Sequence, residues 1–296
     1  MKKMFLSKTN NQSVEVQIHD SQFNALGIYA RPGLAGFFSP SIRYTGQDRS
    51  GNAGHIVTGL KYGGRAMPIS GFIQADSLSD FNTAVESLAN ILALEEDRYG
   101  RPTKMNLRVV SDTNRQFTIP VVLRDEPTLP DHNLLFGNFM LPLFAPEPMF
   151  RQIPAITSAQ LNISQNLGAL LPAMAPFRLG TAHGSQLVLY NNGNVDAFPF
   201  IHVQGQLTNP VIINNTTNQF FKLNYTFPTG STGSIDMSQG ADALANGVTN
   251  INNFRASGSS AWPLVLGANN ISLQTSNPSD VGHVTLEYYH LRTNIN

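Results

Sequence analysis

From residue 186 to residue 291 apolar and polar positions alternate in short runs, each closed by Asn, Gly or Thr. Gln186 to Tyr190 runs into Asn191-Asn192-Gly193-Asn194, and the texture returns at Phe220–Phe227, Ala268–Gln274 and His283–Leu291. A period of two bounded by turn residues is the pattern of a half-buried antiparallel strand. Several such runs within about a hundred residues predict a β-sandwich over 185–296.

The first half mixes the two periods. Val14, Val16 and Ile18 alternate with Glu15 and Gln17 to predict a strand. From Ala30 to Gly64, Pro32-Gly33, Gly46-Gln47-Asp48 and Ser50-Gly51-Asn52 are turn chemistry, so a long loop of the kind that meets a partner is expected. A strand resumes at Arg65–Ile73, where Pro68 suits an edge. Phe81, Val85, Leu88 and Leu92 then fall at i, i+4, i+7 and i+11, which predicts one amphipathic helix over 78–96. Ser77 and Asp80 form its N-terminal cap, and Gly100 and Pro102 end it. Met105–Val110 and Gln116–Leu123 flank Ser111-Asp112-Thr113-Asn114 as a hairpin, and a further strand covers Leu134–Phe144. Residues 1–150 therefore read as an α+β domain, a sheet with one packed helix. Pro154, Pro172 and Pro176 break any period over 151–184, which reads as a linker or docking arm.

Composition narrows the function classes. Of 296 residues, 41% are hydrophobic, enough for a packed core, while only 13% are charged. A surface of neutral amides and hydroxyls suits large protein–protein contacts, because burying them costs less than burying charge. Lys plus Arg equal Asp plus Glu at 19 each, so the net charge is zero and the basic excess of a nucleic-acid binder is missing. Cysteine is absent, which excludes disulfides and thiol chemistry. No signal peptide and no transmembrane run are read. The Asn-x-Ser/Thr triplets, at Asn11, Asn162, Asn214, Asn215, Asn224 and Asn270, fit chance in an Asn-rich chain.

Candidate chemistry is sparse. Tyr62-Gly63-Gly64-Arg65 and Gly51–His55 lack the Gly-Lys-Ser/Thr ending of a phosphate loop, so turns are the reading. Glu95-Glu96-Asp97 and Asp125-Glu126 are adjacent carboxylates, not a pair facing across a cleft. The histidines show no metal-ligand spacing, and serine has no Gly-x-Ser-x-Gly elbow. No catalytic residue, cofactor or metal is assigned. Trp262 and the adjacent Tyr288 and Tyr289 are the aromatics that could stack on a glycan or anchor a partner.

Taken together, the two halves resemble the distal tail proteins of long-tailed, non-contractile phages. Asn191-Asn192-Gly193 through Ala197-Phe198-Pro199 resembles the family's N-N-G-x-x-x-A-x-P segment, and Asn209–Thr217 is similar to its next strand and polar turn. Gly233-Ser234-Ile235-Asp236 and Leu264-Val265-Leu266-Gly267-Ala268-Asn269-Asn270-Ile271 continue the family order. In the first half, Tyr62–Arg65, the helix and the Glu147-Pro148-Met149-Phe150 ending follow the same order. The resemblance implies an N-terminal belt domain that closes a hexameric ring, and a galectin-like sandwich at 185–296. It implies partners in the tail tube protein and the tail-tip hub, with a receptor-binding or tape measure protein nearby and DNA passing through the ring. Tyr62, Arg65, Phe81 and Glu95 are the expected ring-interface residues. No inserted carbohydrate-binding module is visible, so scaffolding is expected over direct receptor binding, with carbohydrate recognition as the alternative.

Overall fold

The computed structural model describes residues 1–8, 11–22, 24–31, 36–51, 53–96, 103–131, 134–163, 186–238 and 242–295, with the side chains of 11–14 left aside. It is mostly β-sheet, with a single α-helix among the described residues. Two units emerge. The first holds Met1–Ile153 and Arg292–Asn296, and the second holds Pro154–Leu291.

The first unit contains β1 (Lys3–Lys8), β2 (Asn11–Asp20), β3 (Ile28–Ala30), β4 (Ile42–Asp48), β5 (His55–Tyr62) and β6 (Arg65–Gln74). After helix α1 (Leu78–Leu92) come β7 (Met105–Val110), β8 (Gln116–Leu123), β9 (Phe136–Ala145) and β10 (Phe150–Ile153). The main sheet runs β2-β1-β7-β8-β9-β6-β3, and β10 pairs with β8. Burial alternates along β6, with Met67, Ile69 and Ile73 buried and the residues that alternate with them more open, so the sheet has one core face. That face meets α1 through Phe81, Ala84, Val85, Leu88, Ile91 and Leu92. The cap is as the sequence predicts: the Ser77 hydroxyl accepts from the Asp80 backbone N–H at 3.1 Å and donates to the Asp80 carboxylate at 2.6 Å.

Two elements of this unit differ from the sequence expectation. The helix stops at Leu92, not at Glu96, because Ala93 turns to ψ 125° and breaks the ladder. Leu94 is left 82% exposed as a result. The expected long loop contains a hairpin. β4 and β5 pair antiparallel from Ile42↔Tyr62 to Asp48↔His55, with a bulge after Thr45. Ile42, Tyr44, Leu60 and Tyr62 do alternate with polar residues, but the glycines and polar turn between them mask the pattern.

The second unit begins with β11 (Ile156–Thr157) and β12 (Leu161–Asn162). These fall in the stretch read as a linker over 151–184, of which 164–184 lies outside the described residues. Next come β13 (Gln186–Asn191), β14 (Phe200–Gln204), β15 (Leu207–Thr208), β16 (Val211–Asn214), β17 (Gln219–Lys222) and β18 (Thr226–Phe227). The unit continues with β19 (Thr232–Asp236), β20 (Asp242–Ala245), β21 (Thr249–Asn250), β22 (Gly267–Gln274) and β23 (His283–Tyr288). One sheet runs β11-β23-β14-β19-β20-β21, another β13-β22-β16-β17. Ile201, Ile235 and Leu286 from the first, with Leu189, Ile212 and Leu273 from the second, share one core. A last short strand, β24 (Leu291–Arg292), carries the chain back to the first unit, where Ile295 joins the core.

Candidate functional site

The hairpin β4–β5 is the feature that the fold leaves unfinished. Among the described residues its strands pair only with each other. Register places Ile42 and Tyr62, then Tyr44 and Leu60, side by side on one face, with Arg43 and Lys61 opposite each other on the other face. The apolar face is not covered: Leu60 is 69% exposed, Tyr44 65% and Tyr62 49%. A two-stranded hairpin is marginal alone in water, and an exposed apolar hairpin with two open edges is a ready surface for another chain. Phe38, close by in sequence, adds a further exposed ring.

The foot of the hairpin is fixed by the Tyr62-Gly63-Gly64-Arg65 segment. The Gly63 N–H donates to the Ser41 carbonyl at 2.8 Å, and the Ser41 hydroxyl donates to the Gly64 carbonyl at 2.9 Å. A Cβ on Gly64 would lie 2.2 Å from the Phe144 ring, so only glycine allows this approach. Ser41, Arg43, Gly64, Ala66, Arg124 and Phe144 line an open recess of about 520 Å³ here.

Arg65 itself points inward. One guanidinium nitrogen donates to the Gly36 carbonyl at 2.6 Å and another to the Thr293 carbonyl at 2.8 Å, with the Phe150 ring centroid 4.8 Å away. Burial pushes its pKa down to about 10, so the group stays charged at neutral pH while bound to backbone carbonyls. It is an internal strut, which corrects its expected place in an interface. Phe81 is corrected in the same way, because it is fully buried where α1 meets the sheet. Glu95 is exposed and forms an ion pair with Lys8, while Tyr62 lies on the open face of the hairpin.

The aromatics singled out for glycan stacking are elsewhere. Trp262 is 0% exposed within the second core and has no face for a sugar ring. Tyr288 is buried too, and its hydroxyl donates to the Tyr190 carbonyl at 3.1 Å. Tyr289, just past β23, is half-buried. The alternation could have given this result, since Trp262 and Leu264 are buried while Ala261, Pro263 and Val265 beside them are only partly so. Tyr190, Val188, Ile42, Tyr44 and Leu60 are the exposed apolar side chains that reading for rare aromatics passed over.

The segments that carry the family resemblance turn out to be clamps. The Asn191 amide donates to the Val195 carbonyl at 3.0 Å and the Leu264 carbonyl at 2.9 Å, and its oxygen accepts from the Gly193 N–H at 2.9 Å. The Asn269 amide donates to Val265 and Gly267 carbonyls while its oxygen accepts from the Val265 N–H. Gly267, at φ +86°, completes that turn. Both asparagines are buried, and each ties down the turn beside it.

Comparison with known proteins agrees. A family model for the phage tail protein RIFT-related domain matches residues 18–145, and one for the siphovirus-type tail component, C-terminal domain, matches 192–290. Both halves are thus those of a structural phage tail component. The chain belongs to the distal tail (Dit) family of siphoviruses. The crystal structure of the SPP1 Dit protein, described as a paradigm of hub adsorption apparatus in Gram-positive infecting phages, has the same fold. It aligns at 13% identity with a TM-score of 0.59, over 97% of this chain and 98% of that chain. A chain of the phage P2 baseplate, in its activated conformation with Ca, aligns at 10% identity and TM-score 0.46 over 97% and 98%. None of the curated proteins matches. Among the described residues no helix is long and apolar enough to cross a membrane.

Proposed function

We propose that the protein is the hexameric ring of the tail tip, joining the tail tube protein to the tail-tip hub while DNA passes through its centre. The observation that carries this reading is the hairpin β4–β5, an apolar-faced ribbon with open edges that its own chain does not cover. Such a surface is removed from water when a ring closes, because each copy offers it to the next. The first unit is then the belt, and the second unit is a galectin-like sandwich. Zero net charge supports a conduit that does not hold phosphates. Assembly takes place in the host cytoplasm and the product resides in the virion. A receptor-binding or tape measure protein attaches to the assembled ring. The carbohydrate-binding alternative loses its main support with Trp262 and Tyr288 in the core.

Light scattering behind a sizing column, followed by negative-stain imaging, tests the reading. A ring of six chains of 32.3 kDa gives about 194 kDa with a central hole. A 32.3 kDa species at every concentration, which also fails to join purified tails, would overturn it.

A further inference from the structure

The recess at the foot of the hairpin is lined by Gly64, Ala66 and Phe144 together with Ser41 and two arginines, Arg43 and Arg124. Among the described residues Arg43 has no ion-pair partner, and Arg124 reaches only the exposed Asp125 at 4.0 Å. So loose an exposed pair contributes little and leaves the guanidinium available. A recess lined by an aromatic ring and two such groups suits an apolar side chain carried beside a carboxylate.

The same unit displays such a group. Leu94 is 82% exposed just beyond α1, and Glu95 and Glu96 follow it. Of the exposed large apolar side chains described, Leu94 alone precedes two carboxylates. Glu95 is held by Lys8, whereas Glu96 is exposed and has no ion pair among the described residues.

Register relates the two features. Lys8 lies opposite Met105, and Met105 opposite Val121; the next residue, Val122, lies opposite Phe144, and Phe144 opposite Ala66. Lys8, which holds Glu95, and Ala66 in the recess therefore sit within a residue of one level along the strands, four strand spacings or about 19 Å apart and on opposite faces of the sheet. Rotation about a ring axis brings one side of a subunit against the opposite side of the next at the same level. Patches of opposite charge at one level, displaced across a sheet, fit that operation. We infer that Leu94–Glu96 of one copy seats in the recess of the next, with Leu94 against Phe144 and Glu96 between Arg43 and Arg124. This rests on the ring reading above and adds a second pair of meeting surfaces to the hairpin face.

The chain has no cysteine, so Ala66→Cys and Leu94→Cys, made in separate chains, carry one thiol each. Mixed and treated with a short bis-maleimide, they are expected to yield the 66–94 product in preference to either homodimer. Arg43→Glu with Arg124→Glu is expected to shift the mass from about 194 to 32.3 kDa with circular dichroism unchanged. Glu96→Arg is expected to do the same, and all three changes together to restore the ring. A ring that keeps its mass in these variants and gives no 66–94 product overturns the contact while leaving the ring intact. A ring of unchanged mass that no longer joins purified tails assigns the recess to another tail protein and also overturns it. A wild-type chain that stays at 32.3 kDa, free and on tails, overturns both the contact and the ring.

Discussion

The hairpin β4–β5 and the loops around Asn191 and Asn269 are opposite answers to the same problem, irregular or edge backbone with polar groups to satisfy. In the loops, buried amides reach back and close local backbone hydrogen bonds within the chain. In the hairpin the two strands satisfy each other on one side only, and apolar side chains face water. The motifs that identify the family are therefore fold-specifying, while the surface suited to assembly is built from unremarkable Ile, Leu and Tyr. A motif search alone would direct mutagenesis to the wrong half of the problem.

The largest effect is expected inside the second core. Trp262→Ala should cost about 3–5 kcal/mol, read as a large fall in the urea midpoint. A variant that kept wild-type stability would place the indole outside the core and reopen the glycan reading. Next, Asn191→Ala removes both amide donors and the acceptor of one clamp and should cost about 2–3 kcal/mol, since the Gly193 N–H and the Val195 carbonyl lose their bond to it while the Leu264 carbonyl keeps only Ala197. Its asparagine-to-aspartate counterpart should fare no better, because a carboxylate cannot donate to the Val195 and Leu264 carbonyls.

A smaller effect concerns pH. The Gln22 N–H, with Lys3 and Gln17, holds the Asp20 pKa at about 2, below its ordinary value near 4. The stabilisation is complete above that ordinary value and is lost as pH falls through about 2. Urea midpoints measured from pH 5 to pH 2 should decline in the wild type, and less steeply in Asp20→Asn. The smallest expected effect sharpens the comparison most. Tyr44→Ser with Leu60→Ser should change the stability of the isolated chain by no more than about 0.5 kcal/mol while abolishing the ring. Substantial destabilisation would mean that the hairpin face is covered within its own chain.

Much of the fold was legible because burial follows period. The stripe from Phe81 to Leu92, the Ser77 cap and the β7–β8 hairpin are local patterns, and they appear as expected. The β4–β5 hairpin was hidden because its apolar residues are interrupted by a bulge and by glycines, and because none of them faces a core. The expected site residues failed for a related reason. Trp262, Phe81 and Arg65 stand out in the sequence by size or charge, yet those properties are what draw them into cores and struts. Exposure depends on which elements fail to meet, and that is a property of the whole topology.

The return of the chain at Arg292 sets an order of events during synthesis. Thr293, which accepts from buried Arg65, and Ile295, which fills the first core, follow the whole second unit in the chain. A ribosome that has finished Ile153 has made nearly all of the first unit but not the segment that completes it. Until the second unit has been translated, Arg65 has only the Gly36 carbonyl to satisfy it, and the subunit remains incompletely closed. Each copy thus becomes a finished chain only after both units exist, so the first unit is completed last although it is begun first.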